Sequence, residues 1–203
     1  MKFRACIALC ILLASVILGR CQQAFMYDQQ SSTNETAGGV FVNIQSNEPI
    51  GQSFVPALSS VGFVRLYVSD SSFPTGSPAT VYVNLLAGSI TGTVLGATIP
   101  LDLSGGFYGF TNFLFSTPVS VTPGTTYYFQ LVANSADDWR TSIIGVYGFD
   151  GTPYLNGVPY GSGSSQLWFR EGIVVPEPSL SLALLAGGAL LCFRRKKAAS
   201  ARS

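Results

Sequence analysis

Histidine is absent from this chain of 203 residues, and cysteine is absent from its middle. All four cysteines, Cys6, Cys10, Cys21 and Cys192, sit in the two terminal segments. Residues 22–175 therefore hold no disulfide and no thiol, and packing and sheet hydrogen bonds alone must maintain a fold there. Together the two absences exclude Ser-His-Asp and Cys-His catalysis and every His- or Cys-based zinc site. Lysine is also missing between residues 22 and 175. The bases in that stretch are Arg65, Arg140 and Arg170, set against nine carboxylates, which makes a formal charge of −6 although the whole chain stands at +1. Without a basic patch the middle of the chain is not built for nucleic acid or another polyanion. A sustained apolar period of 3.6 is lacking there too, so no long amphipathic helix is expected.

The ends carry what the middle lacks. Lys2 and Arg4 precede an apolar run from Ile7 to Leu18, the pattern of a secretory leader. Gly19 and Cys21 stand at the −3 and −1 positions of a cleavage after Cys21. Arg20 stands where a lipoprotein signal needs a small residue, so lipidation of Cys21 fits poorly; an uncleaved anchor is the other alternative. At the far end, Pro176-Glu177-Pro178 leads into an apolar run from Leu180 to Phe193 and then into Arg194-Arg195-Lys196-Lys197. Two prolines fix φ and remove two donors, keeping the segment extended and open to a processing enzyme. The Leu/Ala/Gly run suits a lipid-facing helix with small residues on one side. Its 14 residues are short for a crossing that needs about 20, and snorkelling Lys and Arg close part of the gap. The basic block holds the tail on the cytoplasmic side. A buried helix followed by a solvated tail is the plainer alternative.

Setting the ends aside gives three segments: a leader at 1–21, a domain at 22–174, and a C-terminal segment at 175–203. The domain has about 150 residues, enough for a single core. It reads as all-β. Val61–Ser69, Thr80–Ala87 and Thr125–Ala133 alternate with period 2 and are rich in β-branched and aromatic residues. Shorter strands are expected at Phe25–Asp28, Val40–Ile44, Gln52–Val55, Val94–Pro100, Phe113–Phe115, Trp139–Ile144, Tyr154–Leu155 and Gln166–Arg170. Gly, Pro and Asn-Gly signals, such as Ser104-Gly105-Gly106, Pro123-Gly124 and Asn156-Gly157, separate them. Short strands at this spacing point to a β-sandwich or jelly roll of two antiparallel sheets.

Candidate chemistry is sparse. Asp137-Asp138-Trp139-Arg140 is the densest charged cluster of a charge-poor domain. Paired carboxylates beside an aromatic and a guanidinium could hold Ca²⁺ on Asp137 and Asp138 or grip a sugar, with Tyr147 or Tyr154 assisting from Gly/Pro-rich loops. The plainer reading is a solvated acidic loop, with Trp139 opening a buried strand and Arg140 neutralising a neighbour. Adjacent carboxylates on a strand face opposite sides, which argues against a glycosidase pair. No enzyme is expected.

The order Pro176-Glu177-Pro178, apolar run, basic tail resembles the PEP-CTERM sorting signal of Gram-negative bacteria. The resemblance implies an exosortase as processing partner, cutting near Pro176–Ser179. It also implies passage through the secretion machinery, a transient stop in the inner membrane, and delivery to the envelope, surface or extracellular matrix of a cell that makes exopolysaccharide. A second likeness covers roughly residues 50–133. Gly92–Thr98, Phe113–Val119 and Val121–Tyr128 resemble jelly-roll surface modules of galactose-binding-like architecture. The expected role is then structural or adhesive. A carbohydrate-binding module with a Ca-stabilised site is the alternative, and a polysaccharide hydrolase the more distant one.

Overall fold

The computed structural model describes residues 23–35, 39–72, 74–145, 151–161 and 164–175. The leader, the Pro176-Glu177-Pro178 motif, the apolar run, the basic residues Arg194, Arg195, Lys196 and Lys197, and also Tyr147 and Asp150, lie outside the described residues. Phe25–Val174 forms one compact unit.

Two antiparallel sheets make up this unit, as the alternating runs predict. The strands are β1 (Ala24–Gln30), β2 (Val40–Asn43), β3 (Ile50–Phe54), β4 (Ser60–Asp70), β5 (Ala79–Ala87), β6 (Thr93–Ala97) and β7 (Leu101–Leu103), followed by β8 (Tyr108–Ser120), β9 (Tyr127–Ser135), β10 (Trp139–Gly145), β11 (Pro153–Leu155), β12 (Val158–Pro159), β13 (Ser165–Leu167) and β14 (Phe169–Val175). The one helical element among the described residues is a 3₁₀ turn at Gln45–Asn47.

The front sheet is organised around β4. Along one edge β8 pairs with it from Ser60↔Ser120 to Ser69↔Tyr108. The other edge is shared: β14 pairs with Phe63–Leu66 and β10 with Val68–Asp70. β10 also carries β2 and β13, and β1 lies beyond β14. The sheet thus forks, with the β13–β14 segment entering between β10 and β4. Trp168 sits at the fork, its backbone N–H donating to the Ser142 carbonyl at 2.8 Å. The back sheet runs β12-β11-β3-β9-β5-β6, with β7 beside β6 on the free edge of β5.

Period-2 alternation sends one row of each strand inward. Val64, Leu66 and Val68 of β4 meet Val81, Val83 and Leu85 of β5 and Phe129 and Leu131 of β9 in one buried core. Phe129 lies between Phe54, at 6.2 Å between ring centroids, and Phe169, at 5.1 Å. Burying side chains of this size contributes about 1.5–3 kcal/mol each before conformational entropy is subtracted, and this replaces the disulfides that the stretch lacks. Polar stitches join the sheets at one edge. Gln52 of β3 donates to Gln166 of β13, and Gln52 Oε1 accepts the Leu167 N–H at 3.0 Å. At another edge the Ile99 N–H donates to the Leu114 carbonyl at 2.8 Å.

β8 is far longer than the expected Phe113–Phe115. Gly109 and Pro118 look like breakers in sequence. In the fold the β4–β8 register slips between Val61↔Val119 and Phe63↔Leu114. Pro118 falls inside that slip, where no ladder donor is required of it. The turn between β11 and β12 is as its Asn-Gly signal predicts: Asn156 and Gly157 have φ of 53° and 75°, the two left-handed residues of a type I′ turn.

Candidate functional site

The acidic loop before β10 is held by neutral donors from three other segments. Asp137 Oδ2 accepts the Ser77 N–H at 2.7 Å, and those hydrogen bonds hold its carboxyl below the usual aspartate range. Asp138 Oδ2 accepts Asn43 Nδ2 at 2.9 Å, with Ser46 Oγ at 3.4 Å. Gln45 clamps the backbone between them: its Nε2 donates to the Asp137 carbonyl at 2.8 Å and its Oε1 accepts the Trp139 N–H at 2.9 Å. The two carboxylates therefore serve separate partners. Among the described residues no group of three His, Cys, Asp or Glu side chains converges as a metal site.

Alternation along β10 then splits the sequence cluster. Trp139 points inward and is fully buried, stacked on Phe107 at 6.4 Å, and offers no face to a ligand. Arg140, one residue on, points to the outer face of the front sheet. Tyr154 lies in the back sheet, edge-on to Tyr128 at 5.7 Å; burial first, then Tyr128, pushes its hydroxyl up. Asp137, Asp138, Trp139 and Arg140 thus stay neighbours in the chain while their side chains diverge, and Tyr154 stands apart from all four.

All three arginines of the domain stand on the outer face of the front sheet, because each lies between inward-facing neighbours on its strand. They share it with an aromatic band. Phe41 is 5.4 Å from Tyr67, Tyr67 is 5.2 Å from Phe110, and Phe110 is 4.2 Å from Trp168, as ring centroids. The Arg170 guanidinium then lies 5.0 Å from Trp168 and 5.1 Å from Tyr27. At the β14 end this band is covered. Trp168 Nε1 donates to the Asn34 carbonyl at 2.8 Å, and Arg170 Nε to the Ser32 carbonyl at 2.9 Å. Glu35 bridges Arg65, at 2.8 Å, and Arg170, at 3.1 Å. Arg65 foremost holds the Glu35 carboxyl below its usual range.

At the β10 end the band is open. Phe41, Tyr67, Ser69, Asp70, Tyr108 and Arg140 line most of a groove of about 350 Å³. Phe41 is 42% exposed and Tyr108 62%. Asp70 is buried beside it, with Oδ1 accepting the Ser72 N–H at 2.8 Å and Oδ2 the Gly106 N–H at 2.9 Å. Gly106 has φ of 75°, a left-handed turn that glycine adopts at little cost. Sequence patterning singles out Arg140 here and misses Phe41, Tyr67 and Tyr108. The available signal is the outward row of Val61–Ser69, where Phe63, Arg65 and Tyr67 alternate with the core residues; an outward row with aromatics must be covered or used.

No family model and no curated protein matches the chain. Among solved structures it is similar to the infectious bursal disease virus VP2 subviral particle, at 15% identity over 88% of this chain and 50% of that one, with a TM-score of 0.26. The T13 IBDV viral particle is similar at 14% identity over 80% of this chain and 41% of that one, with a TM-score of 0.25. The chain spans half or less of the length of those two proteins. Likeness at these scores carries no argument about its role.

Proposed function

We propose that this chain is an exported cell-surface or extracellular-matrix protein whose two-sheet domain, of jelly-roll type, adheres to exopolysaccharide rather than catalysing a reaction. The observation that carries the adhesive part is the groove at Phe41, Tyr67 and Tyr108, a mixed apolar and polar concavity on the outer face of the front sheet. The non-catalytic part is supported by the fate of Asp137 and Asp138. Each is engaged by a donor from another segment, Asp137 by the Ser77 N–H and Asp138 by the Asn43 amide, so the two carboxylates do not act as a pair. Export and processing rest on the leader and on the Pro176-Glu177-Pro178, apolar, basic order. An exosortase would remove the segment beyond about Ser179.

Fractionation with intact-mass analysis tests this reading in a polysaccharide-producing, exosortase-bearing host. The expected product lacks Met1–Cys21 and the segment beyond about Ser179, and it co-purifies with the extracellular polymer. A cytoplasmic protein with its C-terminus intact through Ser203 contradicts it.

A further inference from the structure

The geometry points to the groove between Phe41, Tyr67, Tyr108 and Arg140 as a binding site for a neutral sugar ring, stacked on the aromatics and held by the free edge of the Arg140 guanidinium. The inference rests on the adhesive reading above and gives it a site and a ligand class.

Register builds the site. Ser69 of β4 pairs with Tyr108 of β8 on one side and Arg140 of β10 on the other, and Arg140 pairs with Asn43 of β2. One row along, Tyr67 pairs with Phe110, and Phe41 pairs with Ser142. With strands about 4.8 Å apart, Tyr108 and Arg140 stand about 10 Å apart across the short Ser69. That leaves a slot with an aromatic wall at Tyr108, a guanidinium opposite, and Tyr67 and Phe41 along its length.

Arg140 is oriented rather than neutralised. Its Nε donates to Asn43 Oδ1 at 3.1 Å, and Asn43 Nδ2 donates in turn to Asp138 Oδ2 at 2.9 Å. The carboxylate fixes the amide, and the amide fixes the guanidinium through Nε. Among the described residues the Nη groups of Arg140 make no hydrogen bond or ion pair, in contrast to Arg65, whose Nη2 reaches Glu35, and Arg170, whose Nη1 does. Asp138 is therefore a positioning residue for this site.

Charge selects the ligand class. Asp138 is tied to Arg140 through Asn43, and the domain as a whole carries −6 and no lysine. An acidic polymer meets net repulsion there, and so does phosphate. A cationic ligand meets the Nη edge of Arg140. A neutral ring presents apolar C–H faces to the exposed Tyr108 and Phe41, with the buried Tyr67 as floor between them, and hydroxyl oxygens to the Nη donors. Arginine supplies several donors at once and no acceptor, which suits adjacent hydroxyls.

Affinity electrophoresis of the purified full-length protein through gels containing dextran, laminarin, galactomannan or alginate tests the inference. Val158→Ala, in the back sheet, is the control. At least one of the three neutral polymers is expected to retard the protein, with affinity at least tenfold lower for Tyr108→Ala and for Arg140→Gln and unchanged for Val158→Ala. Asp138→Asn is expected to weaken retardation less than Arg140→Gln does. Retardation by alginate alone, by no polymer, or equally for wild type and Tyr108→Ala overturns it. Matrix association in cells separates the two readings. A Tyr108→Ala protein that is still matrix-bound leaves the adhesive function standing and removes the groove as its site.

Discussion

The outer face of the front sheet carries one aromatic band with two different endings. At the β14 end, Trp168 and Arg170 lie beneath residues 31–35, and Glu35 ties two arginines together. At the β10 end, Phe41 and Tyr108 are among the exposed aromatics, and among the described residues Arg140 is held by its Nε alone. The side-chain types are nearly the same at both ends. What differs is the cover and the partner of the guanidinium, so aromatic content alone does not separate structural from ligand-facing surface. The covered end should govern stability and the open end binding.

Truncating the covered end should have the largest effect. Trp168→Ala removes a fully buried indole and should cost about 3–5 kcal/mol, lowering Tm by roughly 10 °C. Thermal unfolding followed by circular dichroism reads this, and a loss as small as that of a surface residue would erase the contrast between the two ends.

Next is a pH effect, also at the covered end. Glu171 of β14 is fully buried beside Asp28 of β1, and burial, with Asp28 second, pushes its carboxyl up to about 8. Its Oε1 accepts the Gln29 N–H at 3.0 Å, while Oε2 has no partner among the described residues. The folded state thus holds this proton more tightly than the unfolded chain, whose glutamate titrates near 4.5. The stability linked to it is fully present below about 4.5 and drains away as pH rises to about 8, on the order of a few kcal/mol in all. Glu171→Gln keeps an acceptor for Gln29 and removes the charge. It should raise Tm at pH 8.5 and change it little at pH 5. Equal shifts at both pH values would mean that the carboxyl is ionised throughout.

Glu35 should act more weakly and in the opposite sense. Its lowered carboxyl contributes stability above the unfolded value near 4.5, and that contribution is lost as pH falls through the folded value. Because Glu35 is exposed, Glu35→Gln should cost only about 1 kcal/mol near neutral pH, most of it from leaving the nearly buried Arg170 without its partner. Urea unfolding at pH 7 and at pH 3.5 measures it, and the difference between wild type and variant should shrink at the lower pH.

Much of the fold is legible in the chain, because β4, β5 and β9 alternate cleanly and their turns carry Gly, Pro or Asn-Gly. β8 is less so: Pro118 ends a strand by local rules, and only the slip in register against β4 shows why it is tolerated. The groove is harder still. Phe41, Tyr67, Tyr108 and Arg140 come from four strands, and their meeting is a product of register. Chain proximity groups Arg140 with Asp137, Asp138 and Trp139. Alternation separates them in space, sending Trp139 into the core and Arg140 out toward three aromatics far away in sequence. Only Asp138 keeps a link to Arg140, and that link runs through Asn43.

The smallest effect on stability carries the most weight. Tyr108→Ala, at a side chain that is 62% exposed, should cost far less stability than Trp168→Ala does. The decisive measurement is the affinity of the Tyr108→Ala full-length protein for the neutral polysaccharide that retards wild type, taken at a temperature where both are folded. A tenfold or greater loss of affinity with an unchanged Tm is the expected result. Unchanged affinity, or a loss that merely follows a fall in Tm like that of Trp168→Ala, would contradict the division between a structural end and a binding end.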